Sequence, residues 1–335
     1  MKAIIIDRNY KKGQFEYLSP YSKITTEFMN KPLLVHHLDA LKDWGVEEVV
    51  LLSNSAIPES LKCGARWGLD LQVHKHMSSK SLRLNSNDSP ILVIPGNNLH
   101  SFDYASFLDY HLNGPFPVSR VEYRETRKAG LYFSPFLINS KVIDTLFKGV
   151  PYLNGEDLLT VLSSIAGKNT FSDNTQHVEA INTHAKYWNY HKHQFSCGVN
   201  TDTLNGFPSN SMLWTDVDAQ IHTTVGAKGM VVLGRNSRIG KNVRLSGMVL
   251  IGDNTVIGED TNLENTIVLK DSWVGSGLHL KNALVNKGML YRSDLNVTLI
   301  VEDRHILGDT KLLSKIQPKT RPNYSIQRHW TVMGH

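Results

Sequence analysis

Between residues 225 and 285 apolar side chains recur every six positions, at Leu233, Ile239, Leu245, Ile251, Ile257, Leu263 and Leu269. Gly234, Gly240, Gly252 and Gly258 directly follow four of them, and Asn236, Asn242, Asn254 and Asp260 stand three positions on. The next position holds Ser237, Val243, Val249, Thr255, Thr261 and Ile267. A period of six is neither helical nor the alternation of a long strand. It fits a triangular solenoid in which each hexapeptide makes one short, flat strand. The aliphatic residue then points inward, the Ser/Thr/Val position fills a narrow corner, and the Gly-x-Asn segment gives the backbone room to turn. Val225-Gly226 lies two residues out of phase, Val274-Gly275 shifts the phase by one, and Leu280 keeps the shifted register. About three coils are expected, with end faces that need a cap or a partner.

The N-terminal half has a different rhythm. Lys2 to Ile6, Val49 to Leu52 and Ile91 to Ile94 are short β-branched or aliphatic runs, which predict buried parallel strands. Between the first two, Asp7 to Met29 reads as an irregular loop. A helix follows, with Pro32 in its first turn, Leu34, Leu38 and Leu41 on one face, and Gly45 at its end. Strand, helix and strand in that order make a βαβ unit and predict a parallel sheet covered by helices. Pro95 to Asn98 reads as a turn and Tyr104 to Leu112 as a helix.

The repeat segment resembles the hexapeptide-repeat left-handed β-helices. Lys31-Pro32-Leu33-Leu34-Val35-His36-His37-Leu38-Asp39-Ala40-Leu41 and Gly45-Val46-Glu47-Glu48-Val49-Val50 resemble the sugar-1-phosphate nucleotidyltransferases, or NDP-sugar pyrophosphorylases. In that family a Rossmann-like domain often precedes such a β-helix. The resemblance implies an α/β fold, with a reduced nucleotidyltransferase-like domain of parallel or mixed sheet over 1–204. A linker at 205–214, a left-handed parallel β-helix over 215–290 and a basic extension over 291–335 follow. The Gly/Pro/Ser/Asn run from Asn205 to Ser211 is the composition break that suggests the linker.

The resemblance also says where chemistry belongs. Active members have a Gly-rich loop after the first strand, a basic pair for the phosphates, and two aspartates on Mg²⁺. Here the loop has Gly13 alone, and Tyr17 stands where the family has Arg. Lys23 matches the phosphate-binding Lys, so Lys23, Gly13, Gly96 and Asn97 are the candidate phosphate or nucleotide contacts. The first metal position matches Asn97, and the second matches Ala180 within Ala180-Ile181-Asn182-Thr183-His184. An amide oxygen is a weak Mg²⁺ ligand, and a methyl group is none. On the sugar side Glu125 matches the Glu of a Glu-Lys-Pro motif, with Thr126 in place of Lys, and only about ten residues separate His111 from Val121. The expectation is a degenerate, non-catalytic protein acting by assembly or by binding a sugar nucleotide or phosphate, in a sugar-nucleotide or surface-polysaccharide pathway. No cofactor is expected, with Mg²⁺ required only if the chain is active. An active nucleotidyltransferase with substituted ligands is one alternative. Another is acyl transfer by the β-helix, with His222 or His279 as general base.

Composition narrows the partners. Of 335 residues 41% are hydrophobic and 20% charged, which is ordinary for a soluble globular protein. Met1 to Asp7 is too short an apolar run for a signal peptide and no stretch reaches membrane-spanning length, so a cytoplasmic location is expected. Cys63 and Cys197 have no metal-ligand spacing. The net charge of +5 is concentrated in the tail, at Lys311, Lys315, Lys319, Arg321 and Arg328, outside any nucleic-acid motif. Outward Met230, Met248 and Trp273 suggest that the chain assembles with itself through the β-helix, with an active pathway enzyme as a further partner.

Overall fold

A computed structural model of the chain describes residues 1–7, 23–54, 56–78, 89–123, 134–147, 151–172, 177–181, 183–197, 204–209 and 212–313. The chain divides into two compact units, Met1–Lys186 and Tyr187–His335.

In the first unit, β1 (Lys2–Ile6) is an apolar run buried from Ala3 onward. A 3-10 turn at Lys23–Thr25 leads into β2 (Glu27–Phe28) and β3 (Lys31–Pro32), which pair antiparallel. Met29 and Asn30 between them have φ of 50° and 60°, the left-handed pair that closes a tight hairpin. The end of the expected loop is therefore ordered as a hairpin. α1 (Leu33–Asp43) buries Leu34, Leu38 and Leu41, with Pro32 as its N-cap and Gly45 at φ 71° just beyond it. β4 (Glu48–Leu52), β5 (Asp70–His74), β6 (Ile91–Pro95), β7 (Asn98–Ser101), α2 (Tyr104–Asn113), β8 (Val118–Val121) and β9 (Phe136–Ile138) follow. Then come α3 (Ser140–Leu146), α4 (Gly155–Ala166), β10 (Thr170–Phe171), β11 (His177–Ala180) and α5 (His184–Ser196).

The main sheet has the order β10-β8-β9-β6-β1-β4-β5. β1, β4, β5 and β6 run parallel, whereas β9 is antiparallel to β6 and β8, so the sheet is mixed. Alternate residues of β1 feed different cores. Ala3 and Ile5 pack with Leu34 and Leu38 of α1, and Ile4 and Ile6 pack with Leu158, Leu159 and Leu162 of α4. Burial on both faces accounts for the unbroken apolar runs.

The division between units falls within α5, upstream of 205–214. Within that stretch β12 (Phe207–Pro208) pairs antiparallel with β13 (Leu213–Thr215), and β13 is already in the parallel ladder of the second unit. That ladder continues through β15 (Gly226–Lys228), β16 (Val231–Leu233), β18 (Arg244–Ile251), β20 (Asn262–Val268) and β22 (His279–Asn286), and a second sheet carries β14 (Gln220–Ile221), β17 (Arg238–Ile239), β19 (Val256–Ile257) and β21 (Ser272–Val274). Each strand pairs parallel with the one a coil later, as Leu233 does with Ile251 and Arg238 with Val256. Side chains 18 positions apart stack at the turns, where Asn236, Asn242, Asn254, Asp260, Asn265 and Asp271 all have φ between 46° and 57°. The corner residues Ser237, Val243, Val249, Thr255 and Thr261 are fully buried, and Thr255 and Thr261 donate to the carbonyls of Leu269 and Gly275.

The phase shift occurs earlier than expected. Between Ser246 and Val249 the register slips by one, so Ile251 pairs with Val268 and the buried corner residue is Thr266. Val268 joins the inner core in place of Leu269, and the corner role expected of Ile267 passes to Thr266. Within 291–335 the described part folds back on the last coil. β23 (Met289–Arg292) pairs antiparallel with β22, β24 (Val297–Ile300) pairs with β23, β25 (Leu307–Asp309) pairs with β21, and α6 (Thr310–Leu313) follows. This return alters the outward patch. Trp273 is half-buried and its indole N–H donates to the His305 carbonyl at 3.2 Å, while Met248 is only 6% exposed. Met230 is half-exposed.

Candidate functional site

Because β1, β4, β5 and β6 are parallel, their C-terminal ends share one edge of the sheet. β1 is where the order turns, with β4 on one side and β6 on the other, and such a point opens a crevice for ligands. Three side chains meet there. The Ser53 hydroxyl donates to one Asp7 carboxylate oxygen at 2.6 Å, and the Asn97 amide donates to the other at 3.4 Å. Asp7, Ser53 and Asn97 are all buried, and the Gly96 amide donates to the Ile6 carbonyl at 2.8 Å.

Beside Asp7 lies a polar pocket of about 190 Å³, lined by Asp7, Ser53, Asn54, Lys75, Asn154 and Glu156 among others. One wall is the start of α4. Asn154 caps that helix by accepting from the Asp157 amide at 2.9 Å, and a pair of backbone bonds between Met77 and Leu153 holds the approach to it. Gly155 is required because a Cβ there would come within 2.4 Å of Ile6 Cγ2. Lys75 and Glu156 are exposed, so the pocket carries both charge signs.

The turn at Gly96 rests on buried His37 and half-buried His100. His37 Nε2 lies 3.0 Å from the Gly96 carbonyl and His100 Nε2 lies 3.0 Å from the Pro95 carbonyl. A carbonyl only accepts, so both rings carry their proton on Nε2, and His100 Nδ1 takes the Tyr123 hydroxyl at 3.2 Å. Burial lowers His37 to about 3, helped by the neighbouring His100, and lowers His100 to about 4. Both stay neutral and act as fixed donors under the turn. Next to them the Asn98 side chain is fully buried, with no hydrogen-bond partner for either polar atom.

The candidates named from the sequence converge in part. Lys23 opens the 3-10 turn whose Ile24 packs on Gly96, where a Cβ would come within 2.6 Å of Ile24 Cδ1 and 2.7 Å of Ile5 Cγ2. Gly96 therefore serves packing, whatever it does for a ligand. Between β11 and β7, Ala180 pairs with Asn98, which is next in the chain to Asn97, the other expected metal position. Gly13 and Glu125 lie outside the described residues. His222 is half-exposed, with Nδ1 2.9 Å from the Thr224 hydroxyl, and His279 is exposed on β22. Asp7, Ser53 and the capped start of α4 were not singled out from the sequence. An Asp directly after a fully apolar strand was the available signal.

The donor set does not suit Mg²⁺. Asn97 donates its amide N–H to Asp7 and has only a neutral oxygen besides, Ala180 has no donor atom, and no group of three or more His, Cys, Asp or Glu among the described residues is arranged to hold a metal. No helix among the described residues is long and apolar enough to cross a membrane.

No family model and no curated protein matches the chain. Among solved structures it is similar to one described as a glucose-1-phosphate thymidylyltransferase from Bacillus anthracis in complex with a sucrose. The match has 13% identity and a TM-score of 0.40, and covers 55% of this chain and 91% of that one. A likeness of that size carries no chemistry across.

Proposed function

We propose that the chain is a nucleotidyltransferase-like protein that has given up nucleotidyl transfer and acts by binding and assembly. One observation carries the reading. The Asn97 amide is hydrogen-bonded to Asp7 at 3.4 Å, where the resemblance calls for a carboxylate free to take Mg²⁺. The ligand of this reading is a phosphorylated sugar or sugar nucleotide at the edge formed by Lys23, Gly96, Asn97 and the Asp7 pocket. Its coils form a left-handed β-helix that assembles with itself, in the cytoplasm, within a sugar-nucleotide or surface-polysaccharide pathway that includes an active enzyme as partner. The test is pyrophosphate release from NTP and sugar-1-phosphate in Mg²⁺, together with thermal shifts by sugar nucleotides. No turnover with a clear stabilisation by ligand is expected, and turnover abolished by Lys23→Ala would overturn the reading.

A second reading, an active enzyme with a relocated ligand, is favoured by Asp7 alone, whose carboxylate lies within hydrogen-bond reach of Asn97. It requires turnover that Asp7→Asn removes.

A further inference from the structure

The end of α5 carries a side-chain pair that the nucleotide edge does not use. Cys197 is exposed, and its Sγ lies 3.5 Å from His193 Nε2 and 4.0 Å from His193 Nδ1. Residues four apart stand on one face of a helix. The Cys197 amide donates to the His193 carbonyl at 3.0 Å, so the helical turn runs through both residues and holds the pair in register. Cys63 and Cys197 are not spaced as ligands of one ion, and the partner of Cys197 is a histidine one turn before it.

Neighbouring side chains on the last turns are committed elsewhere. His191 is buried, with Nδ1 2.8 Å from the Tyr187 carbonyl. The Lys192 ammonium lies over the Trp188 ring at 5.3 Å, and the Ser196 hydroxyl donates to the Lys192 carbonyl at 2.9 Å. His193, in contrast to His191, is exposed, so solvent reaches both the imidazole and the thiol beside it.

We propose that His193 and Cys197 form a two-donor site for a divalent cation of the Zn²⁺ class, with water in the remaining coordination positions. Zn–S and Zn–N bonds of about 2.3 and 2.0 Å at a tetrahedral angle set sulfur and nitrogen ~3.5 Å apart. Sγ and Nε2 have that separation. Thiolate and imidazole select the softer transition metals, whereas Mg²⁺ and Ca²⁺ take oxygen ligands. The C-terminal end of a helix is the negative end of its macrodipole, which favours a cation there. Without metal the same geometry is an S–H···N hydrogen bond. Binding exchanges that proton for the ion: the S–H bond breaks, an S–Zn bond forms, the proton leaves to solvent, and no electron moves. With two protein donors the site is open and of modest affinity. It stands apart from the nucleotide reading, because neither residue belongs to the Asp7 pocket.

Cobalt titration of the full chain, untagged and kept reduced with a phosphine, tests this. Co²⁺ should give a thiolate-to-metal charge-transfer band in the near ultraviolet that Zn²⁺ removes by competition. Cys197→Ser should abolish the band and Cys63→Ser should keep it, Cys63 being the other exposed thiol. His193→Ala should raise the Zn²⁺ dissociation constant by about tenfold or more, a loss that even an outer-shell partner produces. On the wild-type chain, which needs no variant to fold, Zn²⁺ should slow alkylation of Cys197 by iodoacetamide and leave Cys63 unaffected. Absence of the band, a band that survives Cys197→Ser, Zn²⁺ affinity indifferent to His193→Ala, or equal protection of the two thiols would each overturn the site.

Discussion

Asn97 Nδ2 lies 3.4 Å from Asp7 Oδ1, across two neighbouring strand ends that are 90 residues apart in the chain. An amide and a carboxylate at that distance attract, whereas two carboxylates would repel unless a proton or a divalent cation sat between them. Asp7 and Asn97 are therefore a matched set, and the Ser53 hydroxyl at 2.6 Å is a second donor to the same buried carboxyl group. Loss of the expected carboxylate at position 97 and presence of one at position 7 belong to the same arrangement.

Asn97→Asp should expose that logic. With two carboxylates in contact, one is held above its ordinary pKa, so the penalty is fully present at neutral pH and shrinks as pH falls through the raised value. Urea unfolding should show a loss of about 1–3 kcal/mol at neutral pH that narrows in acid. Mg²⁺ should raise the melting temperature of this variant and leave the wild type unmoved. Unchanged stability at neutral pH would show that the contact does not matter.

The histidines under the turn predict acid sensitivity. Burial lowers His37 to about 3 and His100 to about 4, so each stays neutral in the folded chain while the unfolded chain takes up a proton below its ordinary value near 6.5. Their contribution is thus intact above that value and is lost as pH falls from about 6.5 toward 4, by up to ~1.4 kcal/mol per pH unit for each ring. Urea midpoints should drop steeply over that window. His37→Gln, which keeps a donor for the Gly96 carbonyl, should flatten the slope, and an unaltered slope would count against the mechanism.

At the corners, Asn254 has φ 55°, accepts from Asn236 at 3.0 Å and donates to Asp271 at 3.2 Å. Asn254→Gly loses two hydrogen bonds of about 0.5–1.5 kcal/mol each but keeps the turn. Asn254→Ala loses them and adds roughly 1–2 kcal/mol for a left-handed backbone with a Cβ. Thermal unfolding should rank wild type above Gly and Gly above Ala. Ala equal to or better than Gly would mean that the side-chain ladder, and not the backbone, sets the corner.

The sequence by itself determined what depends on local period and local backbone. A six-residue spacing of Leu233, Ile239, Leu245 and Ile251 with Asn at fixed offsets could serve only stacked short strands with left-handed corners. Apolar runs such as Ala3 to Ile6, closed directly by Asp7, fit a short strand buried on both faces, as β1 is. Tertiary structure decided the rest. The slip between Ser246 and Val249 depends on which residue the neighbouring coil presents, so Val268 instead of Leu269 reached the core, and no periodicity announces that. Likewise Asp7, Ser53 and Asn97 belong to three segments whose side chains are unremarkable in isolation. They become one site because parallel pairing brings the ends of β1, β4 and β6 to a common edge and Gly155 lets α4 close on Ile6. The exposure of β24 is decided in the same way, because Leu299 and Ile300 look like core residues in the sequence, whereas among the described residues their strand pairs with β23 alone and leaves both side chains exposed.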